Sequence, residues 1–398
     1  MVYQSIAYLG VATIGYALLS RRLARSPITG PMYFVAAGLI GTSLGVWEPL
    51  FNAHAVSVLL ELTLGLLLFT EAMKLRLVSW SKDFELATRL LTIGMPLTIV
   101  FGTIAAVVVL DVPWVDAAII ATVLAPTDAA LGVAVVQNPK VPKRIREALA
   151  VESGLNDGIA LPILLFFLAV LAAEEGTQLW SLFAEGVGIA LVVGIVAGGA
   201  AGLVMREASR RDWMRERWQQ IMVVIVPSVS LVVADHYGGS GFIAAFVAGL
   251  VFGRMIQHMD KTVADFADDL GTALTMLAFA LFGGVFLAKN LEVFTLAAVA
   301  YALLSLTIVR MIPVSIAMAR SDLDRWTRLF MGWFGPRGLA SIIFAAVVVE
   351  EAGIEYGSVV VAAMIVTVTL SVFLHGATAY FASEAYGEWY RRESATPP

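Results

Sequence analysis

Residues 152–158 read Glu-Ser-Gly-Leu-Asn-Asp-Gly, inside a run from Ala148 to Ala172 that is otherwise apolar enough to span a bilayer. At 3.6 residues per turn, Glu152 and Asn156 form one i,i+4 pair, and Ser153 and Asp157 form another. Adjacent stripes on one helix face therefore present two carboxylates, a hydroxyl and an amide. Ionisable groups at membrane depth are costly, and where they occur they usually line an ion path. This helix is where chemistry is expected.

A second polar group lies upstream, in Ala125-Pro126-Thr127-Asp128-Ala129-Ala130. Pro126 removes one backbone donor and obstructs the carbonyl four residues back, so a helix through it breaks or kinks. Thr127 and Asp128 then flank exposed backbone groups. An aspartate suits the positive end of a half-helix, while freed carbonyls on the other side can hold a cation. The plainer alternative is a proline kink capped by threonine. Gly335-Pro336-Arg337-Gly338 predicts a second break. Arg337 either complements the C-terminal dipole of the half-helix before it or snorkels to the membrane surface. Arg310 sits deeper, without an acid nearby in its own segment; either it snorkels, or as a buried guanidinium it requires a partner, for which Glu152 is the candidate. Glu71 either faces the ion path or is an interfacial acid paired with Lys74 or Arg76.

Composition frames these groups. The chain has 398 residues, 59% hydrophobic and 14% charged, with mean hydropathy +0.85. A water-soluble class is excluded. Cysteine is absent and the four histidines are scattered, which argues against thiolate chemistry and a zinc centre. Thirteen apolar segments are expected to cross the membrane, at about 3–20, 31–46, 55–73, 88–110, 115–137, 147–173, 180–205, 219–236, 241–256, 270–288, 293–318, 329–350 and 356–383. Between His236 and Ser240 the chain makes either a hairpin or a kink within one long segment. All basic residues except Lys289, Arg310 and Arg337 fall in one alternate set of loops. By the positive-inside rule that set is cytoplasmic, which places the C-terminus inside and the N-terminus outside. The first apolar run ends in Arg21 and Arg22, the wrong polarity for a cleavable signal.

The expected fold is thus an all-α polytopic membrane protein. Its spans divide into two inverted six-helix repeats about a linker, with spans 5 and 12 broken and equivalent. Residues 1–384 form one transmembrane domain, and 385–398 form a short polar tail.

Taken together, Pro126-Thr127-Asp128, the motif at 152–158, Arg310 and Gly335-Pro336-Arg337-Gly338 resemble the monovalent cation/proton antiporters. The branch most similar is the NhaP-like one, which includes the animal sodium/proton exchangers, and the resemblance covers essentially the whole chain. It implies that Asp157 carries cation and proton in turn, with Asn156 beside it. Na+ would be held at Asp157, Ser153, Thr127 and Asp128, with Glu152 and Arg310 as a structural ion pair. It also implies a homodimer, with a moving core near 88–173 and 293–383 and the remainder as scaffold. Three features depart from the family pattern. Ala129 stands where proline is usual, Pro336 stands where leucine or methionine is common, and the long regulatory tail of the animal members is missing.

The expected activity is exchange of Na+, with Li+ or K+ as alternatives, for H+ across a cell membrane. No cofactor, enzymatic activity or nucleic-acid partner is expected. Removal from water favours the neutral form of a carboxylate, so proton and cation compete for it. One carboxylate beside a neutral amide implies one cation per proton, hence electroneutral exchange. The rival from another class is an intramembrane aspartyl protease using Asp128 and Asp157 as a dyad. Its Gly-x-Gly-Asp and Pro-Ala-Leu signatures do not occur here.

Overall fold

The computed structural model describes residues 2–46, 53–74, 82–172, 179–256, 261–352 and 358–395. Within the hydrocarbon of a bilayer every backbone N–H and C=O must be satisfied by the chain itself, which a helix achieves locally. Accordingly the described residues form helices and no strands. In order these are α1 (Val2–Leu23), α2 (Gly30–Ser43), α3 (Ala53–Lys74), α4 (Lys82–Arg89), α5 (Met95–Leu110), α6 (Trp114–Val123), α7 (Ala129–Val136), α8 (Lys143–Ala172), α9 (Leu179–Arg210), α10 (Glu216–His236), α11 (Gly241–Met255), α12 (Lys261–Leu281), α13 (Leu296–Leu306), α14 (Ile308–Ala317), α15 (Arg325–Trp333), α16 (Leu339–Ala352) and α17 (Val359–Ala395). A π-helical turn, Leu90–Gly94, runs between α4 and α5, and another, Phe282–Leu287, follows α12. Among the described residues seven helices are long and apolar enough to cross a membrane, and three shorter ones are also apolar.

The expected spans 5 and 12 are interrupted. The fifth is α6 and α7, separated at 124–128, and the twelfth is α15 and α16, separated at 334–338. Both gaps contain the proline that denies the helix a donor. The eleventh span, read as continuous, is also divided, at Thr307 between α13 and α14. No proline or glycine marks that place. Instead the Thr307 hydroxyl donates to the Leu303 carbonyl at 2.5 Å, a local bond that competes with the helical ladder. Residues 237–240 form a turn between the packed helices α10 and α11, so the segment there is a hairpin and not a kink. The polar segment from residue 385 continues α17 as helix to Ala395. Arg76, one of the basic residues of the charge alternation, lies outside the described residues.

Contacts divide the chain into two compact units, one of Met1–Asn52, Ser81–Asn156 and Met276–Pro398, the other of Ala53–Trp80 and Asp157–Thr275. In the first unit α17 packs against α2, α6, α7, α13 and α16, while α5 lies against α6, α13 and α14. Part of its core is an aliphatic and aromatic cluster around Leu90, Ile145, Val314, Met331 and Tyr386. In the second unit α11 is enclosed by α3, α9 and α10, around Phe69, Met205, Val223 and Phe252. The boundary between the units falls within α8, between Asn156 and Asp157.

Candidate functional site

A broken helix leaves orphan carbonyls before the break and orphan N–H groups after it. In the first unit the two breaks meet and satisfy one another. The Asp128 N–H donates to the Pro336 carbonyl at 2.8 Å. The Asp128 carboxylate then caps two helices at once. Oδ1 accepts from Ala130 N–H at 2.6 Å and Leu131 N–H at 3.3 Å, at the start of α7. Oδ2 accepts from Leu339 N–H at 2.6 Å, at the start of α16. A negative charge at two positive helix ends is doubly favoured.

The C-terminal ends are served by cationic and neutral donors. Arg337 Nη1 donates to the Ala125 and Pro126 carbonyls, at 2.5 and 3.2 Å, where α6 has ended. Ser341 Oγ donates to the Val123 carbonyl at 2.8 Å. Arg337 is wholly buried, so it does not snorkel. The dipole it complements belongs to α6, not to the half-helix before it in its own segment. That last end, of α15, is met by His375, whose Nε2 lies 2.9 Å from the Trp333 carbonyl. Nδ1 of the same ring lies 3.2 Å from the Ser371 carbonyl and 3.3 Å from the Ser371 hydroxyl. Ser371 Oγ accepts in turn from the Arg337 N–H at 2.6 Å. All four ends at the double break are therefore capped.

Glu152 and Arg310 face each other through both oxygens and both terminal nitrogens, Nη1–Oε1 at 2.6 Å and Nη2–Oε2 at 2.8 Å. Their side chains are 2% and 1% exposed, so this is a desolvated bidentate pair, the geometry that guanidinium and carboxylate share best. It also explains two glycines. A methyl group at Gly335 would collide with the Arg310 guanidinium, and one at Gly338 would collide with the Asp128 carboxylate. The Gly-Pro-Arg-Gly sequence is shaped by the side chains that pass it.

Next to the break, Thr127 is joined to α8. Asn156 Nδ2 donates to Thr127 Oγ1 at 2.7 Å and approaches the Thr127 carbonyl at 3.4 Å. Thr127 Oγ1 lies 3.0 Å from Ser153 Oγ. Asn156 Oδ1 is buried with no hydrogen-bond partner among the described residues. The result is a small group of hydroxyl, amide and backbone oxygens, two of its three residues almost fully enclosed, with Thr127 3% and Asn156 1% exposed. Neutral oxygens of this kind suit a hard monovalent cation once a carboxylate completes them.

Thr127, Asp128, Glu152, Ser153, Asn156, Arg310 and Arg337 thus belong to one unit and one contiguous network. Asp157 is the next residue of α8, partly buried, and is assigned to the second unit. Glu71 belongs to the second unit also, where its carboxylate lies 3.3 Å from Lys74 Nζ. Lys74 is one of the two partners the sequence offers it. Ser341, Ser371 and His375 did not stand out in the sequence. Ser341 is an isolated hydroxyl in the apolar part of α16, and Ser371 and His375 lie four apart among the other neutral polar groups of α17, so only the position of the helix ends reveals their use.

The family model described as "Sodium/hydrogen exchanger, transmembrane" matches residues 9–383. The chain is 26% identical over 343 residues to the K(+)/H(+) antiporter NhaP of Alkalimonas amylolytica, covering 85% of this chain and 59% of that protein. It is 23% identical over 333 residues to the K(+)/H(+) antiporter NhaP2 of Shewanella baltica, covering 82% and 57%. A probable Na(+)/H(+) antiporter 2 of Methanocaldococcus jannaschii is 26% identical over 245 residues, covering 58% of this chain and 56% of that one. The chain thus spans somewhat over half the length of the curated relatives it matches. The solved structure of the sodium proton antiporter MjNhaP1 from Methanocaldococcus jannaschii at pH 8 superposes with a TM-score of 0.76. It covers 96% of this chain and 99% of that one at 19% identity, which is a likeness of fold.

Proposed function

Because this chain belongs to the transmembrane sodium/hydrogen exchanger family, we propose that it is a secondary active antiporter exchanging Na+ for H+. The observation that carries this is the group of Thr127, Ser153 and Asn156 at a double helix break inside an apolar fold. The family is one of exchangers, so the aspartyl-protease reading goes no further.

In this reading the Asp157 carboxylate is occupied either by a proton or by the cation. The cation would take further oxygens from Ser153, Thr127 and Asp128. Asp128 already accepts three N–H bonds, but carboxylate oxygens have capacity for more, so it both holds the break and remains available. Asn156 orients Thr127 toward the cation. Glu71, held by Lys74, is kept as an acid at the rim of the ion path. Because a single carboxylate alternates between its two partners, each cycle moves one cation against one proton and no net charge. Alternating access would follow from the core near 88–173 and 293–383 rocking against the scaffold around this site.

We place the protein in the cell's inner membrane as a homodimer, with its N-terminus outside and its C-terminus in the cytoplasm. A second reading, K+/H+ exchange at the same site, is favoured by the names of the relatives in Alkalimonas and Shewanella. Purified protein in sealed proteoliposomes with an acid interior separates them. Na+ added outside should dissipate the proton gradient, read by dequenching of an acridine dye, and K+ should do so less well. The order reversed would establish the K+ reading, and no response to Na+, Li+ or K+ would overturn the antiporter.

A further inference from the structure

The connection between α9 and α10 combines an excess of positive charge, five arginines against Glu207, Asp212 and Glu216, with exposed indole rings. Arg206, Arg210, Arg211, Arg215 and Arg217 are all exposed there. Glu207 engages two of them, Arg211 at 2.7 Å and Arg210 at 3.8 Å. Arg206, Arg215 and Arg217 have no carboxylate partner among the described residues. Trp213 and Trp218 are 73% and 61% exposed, and the Arg211 guanidinium lies 4.9 Å from the centre of the Trp213 ring.

The apolar surface beneath is continuous with this loop. On α9, Leu203 and Val204 are exposed one turn before Arg206 and Arg210. On α10, Ile221 and Ile225 are exposed one and two turns beyond Arg217 and Trp218. Both helices are long and apolar enough to cross the membrane, so these residues face acyl chains while the loop sits at headgroup level. Indole rings favour that depth, being apolar in body with one polar N–H.

We infer that the corner between α9 and α10 is a binding surface for anionic phospholipid. The phosphodiester would lie against Arg206, Arg215 and Arg217, and the acyl chains against Leu203, Val204, Ile221 and Ile225. A bidentate guanidinium suits a phosphodiester, and a headgroup with net negative charge leaves that attraction uncancelled. A zwitterionic headgroup carries its own ammonium in competition. Everything involved lies within the second unit, and the inference is independent of which ion is transported.

The test is tryptophan quenching by brominated lipids in nanodiscs. Brominated phosphatidylglycerol is compared with brominated phosphatidylcholine, each as a minor component of an otherwise zwitterionic bilayer. The signal of Trp213 and Trp218 is isolated by subtracting that of a Trp213→Phe, Trp218→Phe variant. Quenching should favour phosphatidylglycerol by about five-fold for each arginine engaged, and the preference should shrink as salt is raised. An Arg206→Gln, Arg215→Gln, Arg217→Gln variant should lose it while its gel-filtration profile stays that of the wild type. Should that variant misfold, single Arg→Lys substitutions replace it, and these should keep a reduced preference because charge remains but the bidentate fork is lost. Equal quenching by the two lipids, or a preference untouched by the arginine substitutions, would overturn the inference.

Discussion

Whether a polar side chain in this molecule is structural or functional is decided by how completely its bonding capacity is used. Glu152 spends both oxygens on Arg310, so it can hold the fold but has little left for a moving ion. Replacing Arg310 by Ala should cost about 3–5 kcal/mol, the usual consequence of stranding one member of a buried pair. A Glu152→Gln, Arg310→Gln double variant should recover part of it in thermal unfolding, and strictly additive losses would show that the two are not energetically coupled. Gly335→Ala should act through the same pair, because the new methyl pushes the guanidinium away from its partner, at about 1–3 kcal/mol. Asp157→Asn removes the titrating carrier while keeping volume. It should abolish exchange in proteoliposomes and leave a folded protein by gel filtration, and retained exchange would exclude Asp157 as carrier. At this scale much was legible. Glu152 and Arg310 could be matched in sequence because each is a charge that an apolar segment cannot tolerate alone. His375 and Ser371 could not, because a neutral polar side chain costs little enough in a helix to carry no signal until the carbonyl or N–H it serves is known.

The breaks are where helices and side chains exchange roles. Pro126 and Gly335-Pro336 announced both of them, since the loss of a backbone donor is a local property of the sequence. What the sequence did not announce is their mutual capping, because Asp128 and Arg337 each bond to a residue more than two hundred positions away, Leu339 and Ala125 respectively. Asp128→Asn tests that capping. The amide oxygen can still accept at one helix end, but its NH2 then faces an N–H at the other. A loss of about 1–3 kcal/mol is expected, the cost of a buried donor left without an acceptor, and an unchanged melting temperature would show that capping by the carboxylate is dispensable. The break at Thr307 escaped notice for the opposite reason, since threonine is common in helices and interrupts them only in particular surroundings. A different fastening holds the loop after α7. Asn138 Nδ2 donates to Glu384 Oε1 at 3.0 Å, and Lys140 forms an ion pair with the same carboxylate. The hydrogen bond to Glu384 holds the Lys140 ammonium above its ordinary range. A raised folded value means that the contribution is fully present below the ordinary lysine pKa, about 10.4, and is lost as pH rises through the folded value. Lys140→Met should therefore lower the melting temperature at neutral pH, and the difference from wild type should close in strongly alkaline buffer. A difference that widened with pH would contradict the assignment.

For the whole molecule, charge per cycle is the quantity that links site to physiology. With one alternating carboxylate, exchange in proteoliposomes should be insensitive to an imposed potassium diffusion potential when Na+ is the transported ion. Asn156→Asp adds a second carboxylate one residue from Asp157, and the two would titrate as a coupled pair. Its rate should become voltage-dependent or fail, while a wild-type rate that responds strongly to voltage would overturn the one-for-one stoichiometry. Membrane residence and the helical class were evident from hydropathy alone, because lipid leaves so few backbone solutions. The partition into two units was not, since it is set by contacts between distant helices and cuts through α8 itself. The position of α17 bears on how the protein is made. It follows α2, α6, α7 and α13 in the sequence, yet all four pack against it, and 78% of its most apolar stretch is buried. Tyr386, far along it, stacks on Phe330 at 4.0 Å and bonds to Thr327 at 2.8 Å. During synthesis the earlier helices of this unit must therefore wait in the bilayer, their inward faces unsheltered, until α17 has been made. A nascent chain arrested before Val359 should be a ready substrate for membrane quality-control proteases, whereas one arrested only after all of α17 has been inserted should resist them.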